Sequence, residues 1–188
     1  EAPARGTTDL ALFVARVVTG LMLGLIAVRE LFGVLGGGGL GEAAGDFSAA
    51  GFAAAQALAV GTGVVGLVAA TLLVIGLMTP FAAGALLSVL TLGVGAEFAA
   101  GEQIALFSDQ GRGLETAILY AALLVVFLFA GPGRWAADRR WGWSYRPRFS
   151  GFIWLLLAIV AVAAVWLSLN SGTPFEGAWP QVVPIGDE

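Results

Sequence analysis

Residues 47–96 read FSAAGFAAAQALAVGTGVVGLVAATLLVIGLMTPFAAGALLSVLTLGVGA, and none of these 50 residues is Asp, Glu, Lys, Arg or His. Only the pair Thr79-Pro80 looks like a turn. A bilayer core about 30 Å thick takes about 20 apolar residues per helical crossing, so the run holds two crossings folded back on each other. No soluble domain of this size needs so long an uncharged stretch. The fold class that follows is all-α, a polytopic membrane protein.

The rest of the chain agrees. Of its 188 residues 59% are hydrophobic and 12% charged, and the mean hydropathy is +0.91, far from the averages of soluble domains. Five spans are predicted: Leu10 to Leu35, Phe52 to Leu77, Phe81 to Ala96, Gly113 to Ala130 and Phe152 to Leu169. The third is the shortest, and the turn before it makes spans two and three a tight antiparallel hairpin. The first apolar run is too long and too poorly flanked for a cleavable signal peptide.

Arginines set the expected orientation, because cytoplasmic loops retain positive charge. Arg134, Arg139, Arg140, Arg146 and Arg148 all lie between spans four and five, so the loop 131–151 is expected in the cytoplasm of a multi-pass cell-membrane protein. Counting spans puts residues 36–51, residues 97–112 and the C-terminus outside. Those segments are acidic, with Glu42, Asp46, Glu97, Glu102, Asp109, Glu176, Asp187 and Glu188 against Arg112. Trp135, Trp141, Trp143 and Tyr145 crowd the arginine-rich loop as an interfacial belt would. The net charge of -4 argues against a nucleic-acid partner. The lipid bilayer is the expected surrounding.

Cys and His are both absent. Iron–sulfur clusters need thiolates, haem is usually held by His or Cys, and zinc and copper sites draw on both. No metal site and no cofactor held by this chain alone is therefore expected. Electron transfer would need a partner's carrier or a diffusible quinone. The run Gly36 to Gly39 with Gly41 reads as a flexible outer connector, not a phosphate cradle. Gly20 and Gly24 in span one, and Gly63, Gly66 and Ala70 in span two, are small residues at helical spacing that let helices approach closely.

Ions within spans need partners or water. Arg16, about two turns into span one, is expected to snorkel to the cytoplasmic interface. With Gly20, Ala27 and Glu30 it falls within roughly 80° on a helical projection, a stripe expected to face the bundle. Arg29 and Glu30 end span one, Glu97 ends span three, and Glu115 opens span four with Tyr120 one turn deeper. These five residues form a candidate quinone-binding site at the outer end: arginine and tyrosine can donate to a quinone carbonyl, and a carboxylate can exchange its proton. The ordinary alternative for Glu115 is the helix dipole, which favours a carboxylate in a first turn.

At the end of span four the chain reads Gly131-Pro132-Gly133-Arg134-Trp135-Ala136-Ala137-Asp138. This resembles the DoxX family of small membrane proteins, whose fourth helix starts at a Glu, here Glu115, and ends in a Gly-Pro-Gly-Arg segment followed by an Asp, here Asp138. Leu31-Phe32-Gly33 and Gly76-Leu77-Met78-Thr79-Pro80-Phe81-Ala82-Ala83 are further points of similarity. The resemblance implies a four-helix DoxX-like bundle over residues 9–140. Residues 141–188 then supply a cytoplasmic connector, a fifth transmembrane helix and a short outer tail.

Family members are linked to redox systems, namely a thiosulfate:quinone oxidoreductase, terminal quinol oxidases and oxidative-stress assemblies. By resemblance the chain is expected to be an accessory membrane subunit of a redox or respiratory complex, with other membrane subunits and quinone as partners. The alternatives are a stand-alone quinone-linked oxidoreductase and a small-molecule transporter. Two departures favour the structural role. The family's His-Gly pair and Lys late in span one are replaced here by Ala27, Val28 and Glu30, and its Glu in span two has no counterpart. The tail after Leu169, with Phe175, Trp179 and three prolines, is expected to lie extended along a partner subunit; the alternative is that Trp179 merely rests on the lipid interface.

Overall fold

The uncharged run turns back at Gly76-Leu77-Met78. The N–H groups of Gly76 and Leu77 both donate to the Leu72 carbonyl at 2.9 Å, closing the first helix of the hairpin with a left-handed glycine at φ 76°. Met78 is also left-handed, and Pro80 falls in the first turn of the next helix, where its missing N–H costs nothing. The turn thus precedes Thr79, and the second helix starts two residues earlier and ends three residues later than the span predicted from Phe81 to Ala96. It is not the shortest.

The computed structural model describes residues 5–101, 114–131, 133, 136–137 and 150–170. Among these are six helices: α1 (Arg5–Phe32), α2 (Gly39–Ala49), α3 (Ala55–Ile75), α4 (Thr79–Ala99), α5 (Leu114–Ala130) and α6 (Ser150–Leu169). The only β-type pairing among the described residues is an isolated bridge between Phe52 and Asn170. Four helices, α1, α3, α4 and α6, are long and apolar enough to cross a membrane, while α5 is a shorter apolar helix. At 17 residues it is about 26 Å long. A multi-pass membrane bundle is the architecture these helices fit. The arginine-rich loop, Arg112 and the tail from residue 171 lie outside the described residues.

α1 packs chiefly on α3, and α4 is the hub that touches α3, α5 and α6. Small residues set the approaches. A Cβ on Gly20 would stand 2.6 Å from Val74 Cγ2 and 3.1 Å from the Ala70 carbonyl oxygen. Gly84 lies under the Trp154 backbone of α6, and Gly151 lies against the Leu128 carbonyl of α5. One cluster of buried side chains, including Leu73, Ala82, Leu86, Leu124 and Phe127, fills the bundle between α1, α3, α4 and α5. A second, built on Phe47, Phe52, Leu92 and Trp166, closes one end.

The stripe of α1 faces inward: Arg16, Thr19, Gly20, Leu23 and Ala27 are buried and Glu30 is half-buried. Arg16 does not snorkel. It is 1% exposed, with its guanidinium packed against Gly76, where a Cβ would lie 2.6 Å from Cζ and also crowd Ala136. The Phe13 ring lies 5.7 Å from the same carbon, within cation–π range. α1 begins at Arg5, so Arg16 sits about 16 Å along the helix, at the level of the α3–α4 turn rather than at a free helix end.

Candidate functional site

The opposite end of the bundle from Arg16 holds a cavity of about 310 Å³. Its wall begins in the last turn of α1, which carries Arg29 and Glu30. A cation there suits the carboxyl end of the helix dipole. Gly33, at φ 66°, ends the helix, and its N–H donates to the Arg29 carbonyl at 3.0 Å. The chain then doubles back so closely that the Arg29 stem lies on Gly37, where a Cβ would meet Cγ and come within 2.9 Å of Nε. Gly38 donates its N–H to Glu42 Oε2 at 2.7 Å.

The sequence suggested a connector through Gly41, but Gly39 and Gly41 belong to a helix. This is α2, an 11-residue helix that lines the cavity with Glu42, Ala43, Asp46 and Phe47. Leu40, Ala43, Ala44 and Phe47 all pack into the end cluster. Phe47 meets Phe52 edge-on at 5.6 Å, and Phe52 meets Trp166 of α6 at 5.0 Å. The strand-like bridge adds an Ala53 N–H to Leu169 carbonyl bond of 2.9 Å and an Asn170 Nδ2 to Ala50 carbonyl bond of 2.8 Å. The C-terminal end of α6 is thereby fixed beside the start of α3.

The cavity has a charged mouth and an apolar floor. Arg29, Glu30, Glu42, Asp46 and Glu97 line it together with Tyr120, and Leu23, Ala27, Gly66, Leu86 and Leu90 lie deeper. Leu23 is seven residues before Glu30 on α1, about 10 Å further in. Arg29, Glu97 and Asp46 all act electrostatically on the half-buried Glu30 carboxylate.

Four of the five residues selected from the sequence, Arg29, Glu30, Glu97 and Tyr120, line this one cavity. Glu115 does not, although Leu114 and Thr116 on either side of it do. It stands in the first turn of α5. Sequence reasoning missed Glu42 and Asp46 as cavity residues because it treated α2 as loop. The signal was there: Leu40, Ala43, Ala44 and Phe47 are apolar at i, i+3, i+4 and i+7.

No protein-family model, curated protein or solved structure matches this chain. Among the described residues no group of three or more acidic side chains is gathered to hold a metal ion. Four hydroxyls within the hairpin helices donate to their own backbones: Thr62 to Leu58, Thr71 to Leu67, Ser88 to Gly84 and Thr91 to Leu87, all to carbonyl oxygens at 2.7–3.0 Å, and Ser88 also reaches the Ala158 carbonyl of α6. Gln56 is exposed.

Proposed function

We propose that this chain is a DoxX-like membrane subunit of a larger redox assembly, an accessory to its catalytic centre, and that the cavity contacts a quinone. The cavity carries the reading. It joins the two donors that suit a quinone carbonyl, Arg29 and Tyr120, to the proton-exchanging carboxylates Glu30 and Glu97. Its apolar floor suits the ring and the start of a tail. With no Cys and no His, the chain brings none of the usual ligands for iron–sulfur, haem, zinc or copper, so redox metals in the assembly belong to partner subunits.

In this reading α5 is a fifth crossing, the loop 131–151 is cytoplasmic, and the cavity and the C-terminus lie outside. The Arg134 to Arg148 cluster supports that orientation. Transport is the weaker alternative, because the hairpin hydroxyls that would line a polar path satisfy their own helices.

Purification from native membranes in mild detergent tests the assembly: redox subunits are expected to co-migrate with the chain on native gels. A chain that migrates alone overturns the accessory reading. Within the assembly, Tyr120→Phe removes one hydrogen bond to the quinone and is expected to raise the quinone KM about two- to ten-fold at unchanged abundance. An unchanged KM removes Tyr120 from quinone contact.

A further inference from the structure

The mouth of the cavity is built for one sign of charge. Among the described residues, Glu30, Glu42, Asp46 and Glu97 line it with one basic residue, Arg29, and the Arg29 stem lies on the Gly37 backbone. Two aromatic residues, Phe47 and Tyr120, also line the cavity, and aromatic rings attract cations. Beneath them the lining turns apolar. A mouth of net negative charge with low-dielectric walls concentrates cations and repels anions. Small inorganic ions gain little, because no metal-ligand set is gathered among the described residues. Carboxylates and rings above an apolar shaft suit an organic cation whose charge is shielded by hydrocarbon.

We propose that this cavity binds hydrophobic organic cations, with the positive centre at the level of Glu30, Asp46 and Glu97 and the apolar body against Leu23 and Leu86. The inference rests on the cavity of the proposed function but not on quinone as its occupant. A bound cation and a quinone head would compete for the same space.

The probe is tetraphenylphosphonium, with tetraphenylborate as an anion of nearly the same size and shape. Both are titrated by equilibrium dialysis into the full-length chain in nanodiscs of zwitterionic lipid, against empty nanodiscs. Saturable binding of the cation, at about one per chain, and no saturable binding of the anion are expected. Asp46→Asn and Glu97→Gln lie on the exposed rim and keep side-chain shape. Each is expected to weaken cation binding about five-fold, with the effect shrinking at high salt. Gly93→Leu blocks the shaft: Gly93 lines the cavity and a Cβ there meets nothing within 4 Å, so the larger side chain enters open space without disturbing the helices.

Cation binding that survives Gly93→Leu, or anion binding as strong as cation binding, overturns the proposal. Decylubiquinone titrated in parallel separates the two readings. Gly93→Leu removes either ligand, whereas Asp46→Asn, at a residue with no part in the quinone contact, weakens only the cation. A chain that holds the phosphonium and not the quinone sinks the quinone contact alone.

Discussion

Arg16 lies in a membrane-spanning helix and yet is among the largest fully buried side chains of the chain. What gives it room is the bare Cα of Gly76, and the same residue must be glycine for a second reason, its left-handed φ of 76°. Gly76→Ala is therefore doubly penalised: about 1–2 kcal/mol for the backbone conformation, and the displacement of the buried guanidinium packed against it. A melting temperature several degrees lower in detergent is the expected outcome. A variant that melts like the parent would mean that Arg16 is not held by this turn. The inward stripe was legible at this scale, since Arg16, Gly20, Ala27 and Glu30 share one helical face. The snorkelling expectation failed because only the fold brings the α3–α4 turn to the level of Arg16.

Between helices, the glycines of α1 make a sharp contrast. A Cβ on Gly20 would press on Val74 and on the Ala70 carbonyl, whereas one on Gly24 would make an ordinary 3.5 Å contact with Ala70 Cβ. Gly20→Ala is expected to force α1 from α3 at about 1–3 kcal/mol, while Gly24→Ala gains helix propensity and is neutral or stabilising. Thermal denaturation of the two variants side by side checks this, and equal effects would refute the α1–α3 register. The long helices were readable from hydropathy to within a few residues. Pro80 misplaced the start of α4 because a proline inside a first turn looks, in sequence, like the turn itself. α2 was hidden for another reason: Gly39, Gly41 and Gly45 lower its intrinsic helicity, and it is the end cluster around Phe47 that makes it a helix.

For the molecule as a whole, hydropathy carried the architecture but not the cavity, whose lining comes from five helices and the glycine loop and depends on how they pack. The exterior is strongly apolar. α6 has a mean hydropathy of 2.7 over its best window and only 11% of that window is buried, so lipid or a partner must cover the remainder. Orientation can be tested on a chain with no native cysteine. Gly45 on α2 is exposed, with nothing within 4 Å of an added Cβ, and Gly45→Cys is expected to react with a membrane-impermeant maleimide on intact cells. Reaction only after permeabilisation would place the cavity on the cytoplasmic side.

The bond from Asn170 to the Ala50 carbonyl joins residues 120 positions apart. At about 5–20 residues per second of synthesis, the loop between α2 and α3 waits some 6–24 s for that partner. During this interval Phe47 and Phe52 have emerged without Trp166 to close over them. The cluster that seats α2 is thus finished by the last described helix to be made, and a nascent chain stalled before Ser150 would present an open, aromatic-lined end to whatever insertion machinery or chaperone attends it.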